Sequence, residues 1–159
     1  MSIHAPHLGD KIEATGLNVA IVVSRFNAHI TDALLDGAKK ALLDHGFAET
    51  QISVFYVPGA FEISTVANRL AQLGGHQAIV CLGCVMRGAT AHFEYVCQGV
   101  TDTMSKLAQR GDIGLGNGVL TLDTEEQAQE RIGGKHGHKG AEAALTAVEI
   151  ACLLQSLEG

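Results

Sequence analysis

The amino-acid sequence predicts one α/β domain, a three-layer αβα sandwich in which helices cover both faces of a four-stranded parallel sheet. Short β-branched runs alternate with segments of helical periodicity along the chain, which is typical of parallel sheets joined by right-handed crossovers. The chain has 159 residues, of which 47% are hydrophobic, and this is enough to bury the core of a single domain. No linker, repeat or low-complexity tract divides it.

Two strand–helix units account for the first half of the chain. Residues 17–23 (LNVAIVV) form an apolar run of the kind that fills a buried strand, and the helix that follows them stops at Gly46. Residues 52–57 form the second strand, which ends at Pro58-Gly59. The second helix is predicted over residues 61–73.

The next unit has the same order. Residues 77–84 are predicted to form the third strand and residues 92–110 the third helix, because the apolar side chains of the latter fall on one face. A glycine-rich stretch, residues 114–118, then leads into a fourth strand at residues 119–122. This order of elements predicts a flavodoxin-like sheet.

Two helices end the chain. Thr124 and Gln127 have the spacing of a capping box, which predicts a short helix that ends near Ile132. An alanine-rich helix is predicted at residues 139–157.

The predicted domain covers residues 17–159, and residues 1–16 form an N-terminal arm. The arm has no core of its own. It either stays loose or pairs with the sheet edge of a neighbouring subunit.

Composition and charge restrict the partners and the compartment. The net charge of −6 argues against nucleic acid, and the low charged fraction of 18% indicates that partner subunits cover part of the surface, so we expect a homo-oligomer. Residues 1–7 lack the pattern of a signal peptide, and the longest apolar run, residues 78–86, is too short to cross a bilayer. The four cysteines have no disulfide-framework spacing, which is typical of a reducing compartment. Together these features predict a cytoplasmic protein that binds no membrane.

A ligand site is expected where the carboxyl ends of the strands meet the first turns of the helices. Three loops lie at that edge: residues 24–27, 58–62 and 84–92. In the third, Gly88 and Ala89 are small enough for backbone N–H groups to approach an anion, and the Thr90 hydroxyl adds a donor. The loop therefore predicts a site for a phosphorylated substrate.

Each candidate side chain in these loops also has a purely structural interpretation. His92 stands at the start of a helix, where the dipole disfavours a charged imidazole and favours a base, but it is equally able to cap the helix. Phe26 either stacks on a flat heterocycle or belongs to the core under the loop. Glu62 either binds ligand hydroxyls or only caps its helix.

A second cationic cluster consists of Arg131, Lys135 and Lys139. The helix after the fourth strand is expected to run back along the sheet, which places Arg131 near the edge opposite the three loops. A strand of six or seven residues is about 20 Å long. These cations are therefore expected to act, if at all, on the site of a neighbouring subunit.

Three further patterns predict no metal or redox chemistry. Cys81 and Cys84 have C-x-x-C spacing but lie within a strand rather than at a helix start. His136 and His138 have no cysteine or carboxylate beside them. The glycines of residues 114–118 do not match the dinucleotide fingerprint and precede a strand.

The chain resembles the lumazine synthase family from Val19 to Leu154. Five motifs carry the resemblance in order: residues 24–27 (SRFN), 57–63 (VPGAFEI), 83–93 (GCVMRGATAHF), 118–121 (GVLT) and 139–144 (KGAEAA). The resemblance implies an enzyme of riboflavin biosynthesis. Its expected reaction condenses 5-amino-6-(D-ribitylamino)uracil with 3,4-dihydroxy-2-butanone 4-phosphate into 6,7-dimethyl-8-ribityllumazine, releasing phosphate and water, without a cofactor or metal.

The resemblance also implies roles for individual residues. Phe26 would stack on the uracil ring. The ribityl chain and the pyrimidine would be held by residues of the second and third loops, namely Ala60, Phe61, Glu62, Cys84, Val85 and Met86. On the phosphate side, Ala89 and Thr90 would bind the anion, His92 would transfer protons, and Arg131 would arrive from the adjacent subunit with Lys139 close by.

Asn117 is a departure from the family pattern, because many members have phenylalanine at this position, and it puts the wall of the uracil pocket in doubt. Members of the family form pentamers, and some assemble into decamers or icosahedral capsids of 60 subunits. Riboflavin synthase is a further partner that the resemblance raises.

Two other classes of function, a binding protein without catalysis and an electron carrier, require different residues. A catalytically silent protein that holds lumazine or flavin needs Phe26 but not Thr90, His92 and Arg131 together. A flavodoxin-like electron carrier needs a hydroxyl-rich phosphate turn in the first loop, which residues 24–27 do not provide.

Overall fold

A computed structural model describes residues 12–159. It confirms the predicted fold class, since four parallel strands lie in the order β2-β1-β3-β4 between layers of helices. The main elements are β1 (Val19–Ser24), α1 (Ala28–Asp44), β2 (Ile52–Val57), α2 (Ala60–Leu73), β3 (Ala78–Met86), α3 (His92–Ala108), β4 (Gly114–Leu122), α4 (Glu125–Gln129) and α5 (Lys139–Leu157). Most of the predicted N-terminal arm, up to residue 11, lies outside the described residues.

The core has two halves, one on each face of the sheet. All six residues of β1 are buried, and their side chains alternate between the two halves, with Ile21 on one face and Val22 on the other. Helices α1 and α5 cover the first face, and α2 and α3 cover the second. A central strand with both faces covered accounts for the continuous apolar run that the sequence shows.

The end of the arm contacts the domain. Ile12 and Ala14 pack against the α1–α5 half of the core. The Gln51 side chain, in a 3₁₀ turn before β2 (Glu49–Gln51), donates hydrogen bonds to the carbonyls of Ala14 and Leu17 at 2.7 and 2.8 Å. The chain is thereby held in place where it enters β1.

The glycine-rich stretch belongs to β4, so the prediction of a strand that starts only at residue 119 was wrong. Gly114 and Gly116 face α5 so closely that a Cβ atom on either would overlap a backbone carbonyl oxygen, that of Ala147 or Ala143. The stretch looks like a loop in the sequence because it is rich in glycine. Gly114 and Gly116 stand there because the backbone of α5 occupies the space of a Cβ atom.

The region between β4 and α5 also differs from the prediction. The Thr124 hydroxyl accepts a hydrogen bond from the Gln127 N–H at 3.3 Å, as a capping box requires, but α4 ends at Gln129 rather than near Ile132. A small hairpin of β5 (Ile132–Gly134) and β6 (Gly137–His138) follows. The left-handed backbone of Gly133 and Gly137 allows this tight reversal.

By length and composition, α5 is long and apolar enough to cross a membrane. Its alanine face packs on β4 and its Gly140 lies against the Leu34 carbonyl of α1. These contacts are those of a core helix.

The strands end at different levels, and this difference shapes the edge where a ligand is expected. The register of β1 with β3 ends at Val23 opposite Leu82, whereas the register of β3 with β4 continues to Met86 opposite Leu122. Because β1 itself ends one residue later, at Ser24, the last three residues of β3 extend about 10 Å beyond it. This step in the sheet leaves one side of β3 open above the end of β1.

Gly116→Ala tests the close contact between β4 and α5. We expect it to lower the free energy of unfolding by about 1–3 kcal/mol, the usual cost of forcing atoms into a packed interior, as measured by urea denaturation. Gly75→Ala is the control, because a Cβ there has no heavy atom within 4 Å. Equal stability of the two variants would contradict the contact.

Candidate active site

A pocket of about 600 Å³ opens at the step in the sheet, within the size range of small-molecule sites. Nine of the thirteen predicted site residues line it: Phe26, Ala60, Phe61, Glu62, Cys84, Val85, Met86, Thr90 and His92. They come from all three predicted loops and from the extended end of β3. The predicted ligand edge thus coincides with a cavity, while the roles of these residues stay predictions.

Backbone and side-chain hydrogen bonds tie the pocket walls together. The Phe26 N–H donates to the Pro58 carbonyl at 3.0 Å, which joins the first loop to the second. The Asn27 side chain donates to the Cys84 carbonyl at 3.1 Å, which joins the first loop to the open side of β3. Asn27 has a left-handed backbone (φ 58°), a conformation that asparagine tolerates better than most residues.

Aromatic side chains form the rim of the pocket. Phe26 is 73% exposed, Phe61 59% and Tyr95 75%. The interpretation of Phe26 as a core residue is therefore wrong, and its ring is available for stacking. A Cβ on Gly99 of α3 would contact the Phe61 ring at 2.9 Å, so this glycine makes room for the Phe61 wall.

The third loop brings His92 and Thr90 to the start of α3. His92 is the first residue of the helix, exposed, and its backbone N–H donates to the Thr90 hydroxyl at 3.3 Å. The N–H groups of a first helical turn have no partners within the helix, so this end of the pocket is suited to an anion. Ala89 is exposed in the same loop but does not line the pocket.

Glu62 has the capping role that was its structural interpretation. Its carboxylate accepts a hydrogen bond from the Gly59 N–H at 3.0 Å at the start of α2. The same side chain lines the pocket, so capping fixes its position at the wall.

Three predicted residues lie away from the pocket in the same chain. Asn117 is in the middle of β4, exposed, and its side chain accepts a hydrogen bond from the Val119 N–H at 3.1 Å. Arg131 and Lys139 lie side by side, since the Lys139 N–H donates to the Arg131 carbonyl at 2.8 Å.

The predicted position of Arg131 at the opposite edge was wrong. Helix α4 has only five residues, about 7.5 Å, and does not run back along the sheet. Arg131 instead adjoins the start of α5, on the face covered by α1 and α5, and its guanidinium donates to the Gln127 carbonyl at 2.9 Å. Arg131 is not among the residues that line the pocket.

The pocket lacks a cation of its own. Among the described residues that line it there is no lysine or arginine. Arg87 directly follows β3 in the third loop, but its guanidinium is already paired with Asp123, at 2.5 Å, and with Glu94. The hydrogen bonds to these two carboxylates raise the pKa of Arg87, and Arg87 in turn lowers that of Glu94.

Comparison of the sequence with known protein families identifies the family of the chain. The model of the 6,7-dimethyl-8-ribityllumazine synthase family matches residues 16–155, nearly the whole chain. The chain belongs to this family. It is thus a member of a family of transferase-type enzymes of riboflavin biosynthesis, as the sequence motifs predicted.

Some pocket residues of this lumazine synthase family member were missed from the sequence. Asn27, Phe93, Tyr95 and Val96 line the pocket but were assigned only to a motif or to a helix. Asn27 between a strand and a helix was a usable signal for a left-handed turn. The α3 side chains offered no signal, because helical periodicity assigns a residue to a face but not to a cavity.

The cysteines of the C-x-x-C pattern are buried thiols. Burial raises the pKa of Cys81 to about 12 and that of Cys84 to about 11. Thiolates are the nucleophiles and metal ligands of cysteine chemistry, so Cys84 contributes an apolar wall to the pocket.

We expect Cys84 to resist alkylation by iodoacetamide at pH 8. At a pKa of about 11, roughly one thiol in a thousand is ionised at this pH. Partly exposed Cys152 is the internal control, and protein labelled in denaturant gives the upper limit, both read from peptide masses. Labelling of Cys84 as fast as Cys152 would show that the pocket floor opens.

Proposed function

We propose that this chain is a 6,7-dimethyl-8-ribityllumazine synthase, which condenses 5-amino-6-(D-ribitylamino)uracil with 3,4-dihydroxy-2-butanone 4-phosphate and releases phosphate and water. Family membership supports the proposal. The observation that carries it is the meeting, in one pocket, of an exposed aromatic ring, Phe26, with the Thr90–His92 helix start. These are the two ends that a flat heterocycle and a phosphorylated ketone require.

The heterocycle is assigned to the step in the sheet. Phe26 presents its ring at the rim, where stacking on a flat ring adds to the burial of apolar surface. Cys84, Val85 and Met86 form the floor, and Phe61 and Glu62 a wall suited to the ribityl chain. The β3 residues after Leu82 have no β1 partner in the sheet, and three of them, Cys84, Val85 and Met86, line the pocket instead.

The phosphate is assigned to the start of α3. Gly88, Ala89 and Thr90 directly precede the first turn of α3, where the helix dipole favours an anion. Since none of the described residues that line the pocket is a lysine or arginine, the negative charge of a phosphate dianion stays uncompensated there. We therefore assign the missing cation to Arg131 of an adjacent subunit, with Lys139 beside it, which makes the active unit a homo-oligomer.

Proton transfer is assigned to His92. Imine formation, phosphate elimination, ring closure and dehydration each move a proton between nitrogen, carbon and oxygen atoms of the two substrates. One imidazole within reach of both substrates is able to serve successive steps as acid and base. Holding the amine and the ketone together supplies much of the remaining acceleration.

Incubation of the purified protein with both substrates tests the function. We expect the absorbance and fluorescence of the lumazine product to appear faster than in the uncatalysed reaction. A protein that binds the product but gives no turnover above that background would instead be the silent binding protein.

His92→Ala tests the proton-transfer role. We expect the rate to fall by about one to four orders of magnitude, the range of general acid–base effects, with the low end open because the uncatalysed condensation is itself feasible. An unchanged kcat would remove His92 from the chemistry. Binding of the uracil substrate, followed by calorimetry, is expected to stay close to that of the unsubstituted protein.

Arg131→Ala tests the shared site. We expect a raised KM for the phosphorylated ketone and little change for the uracil. Arg110→Ala is the matched control, because Arg110 is also an arginine about one-third exposed and paired with a neighbouring acid, Asp112, at 2.7 Å. Equal weakening of both substrates would point to a folding defect.

Mixed assembly sharpens this test. When Arg131→Ala and His92→Ala subunits are unfolded and refolded together, some sites combine an intact His92 with an intact Arg131 from the neighbour. Activity above that of either variant alone is expected. Activity no higher than the two separate variants would contradict a site between subunits.

A further inference from the structure

Arg87 is at the centre of a set of contacts that the proposed chemistry leaves unexplained. Its backbone N–H donates to the Leu122 carbonyl at 2.8 Å, at the end of the β3–β4 pair. Its guanidinium carbon lies 4.3 Å from the centre of the Phe93 ring. The same guanidinium donates to Asp123, just after β4, and to Glu94 in the first turn of α3.

These contacts connect the two ends of the third loop. Residues 88–91 leave β3 at Arg87 and enter α3 at His92, and Arg87 spans this gap by holding Glu94 and Phe93 on the helix. Phe93 also lines the pocket. A displacement of Arg87 therefore moves the helix start that carries His92, as well as one wall of the cavity.

The ion pairs of Arg87 contribute little to the stability of the fold. The side chains of Arg87, Glu94 and Asp123 are about half exposed, and ion pairs at such positions contribute little to folding. The planar guanidinium nevertheless fixes direction, because it stacks on a ring while its N–H groups point to two carboxylates. Its charge is also already compensated, so it is not the cation that a phosphate needs.

We propose that Arg87 is a positioning residue that sets the loop of residues 88–91 and the first turn of α3 in the geometry required for the phosphorylated substrate. This inference rests on the proposed function of the same pocket. Arg87 acts through Glu94, Phe93 and Asp123, without contact with the substrate. A misplacement of about 1 Å in such a frame is able to cost two orders of magnitude in rate.

Steady-state kinetics of Arg87→Met and Arg87→Lys test the inference. The Met variant keeps the length of the side chain but loses both ion pairs, and we expect kcat/KM for the phosphorylated ketone to fall at least tenfold. The KM for the uracil and the melting temperature are expected to change little. Arg87→Lys keeps the charge without the flat stacking group and is expected to recover part of the loss.

Two further comparisons separate positioning from a general defect. Glu94→Gln combined with Arg87→Met is expected to cost less than the product of the two single effects, because both variants break the same contact. Arg110→Met removes another acid-paired arginine, away from the pocket, and is expected to leave the kinetics unchanged. Kinetics of Arg87→Met equal to those of the unsubstituted protein would overturn the inference while leaving the proposed function intact.

Hydrogen exchange gives a readout that does not need turnover. We expect the amides of residues 88–95 to exchange faster in Arg87→Met than in the unsubstituted protein, while those of β1 stay unchanged. Equal exchange at residues 88–95 would overturn the inference. Absence of turnover in the unsubstituted protein would count against the proposed function alone, because the exchange result stands independently.

Discussion

The unequal length of neighbouring strands is the constraint on which the site depends. Because β3 and β4 continue together for three residues after β1 has ended, one side of β3 is left without a strand. The Asn27 side chain reaches one carbonyl on that side, and the pocket occupies the remaining space. Had all four strands ended at one level, residues 84–86 would be covered by a neighbouring strand, and the loops would meet above a flat edge.

The fold was largely predictable because burial is recorded in the sequence as periodicity. The six buried residues of β1 and the apolar faces of the long helices are direct consequences of packing on both sides of a sheet. The predictions of secondary structure were wrong where a contact between residues far apart in the sequence determines the local structure. Gly114 and Gly116 read as a loop because the backbone of α5 that excludes their side chains is about 30 residues further along the chain.

The location of the candidate site could be predicted from the sequence, but the contacts of several of its residues could not. Parallel strands bring their carboxyl ends together. The sequence alone therefore grouped the three loops, and with them Phe26, Glu62, Thr90 and His92. The same reasoning misplaced Arg131, because the helix after β4 was expected to run back along the sheet, whereas α4 ends after five residues. The contacts of Arg87 with Asp123 and Glu94 were beyond reach, since nothing local to any of the three residues indicates the others.

The contact of β4 with α5 gives the two faces of this strand different evolutionary freedom. On the inner face the obstacle to a larger residue is a main-chain oxygen, which no second substitution can trim away. On the outer face, Asn117 and Thr121 are exposed, and a new side chain there meets no such obstacle. The positions of β4 that exclude a larger side chain thus alternate with positions that accept one, and Asn117 belongs to the second set.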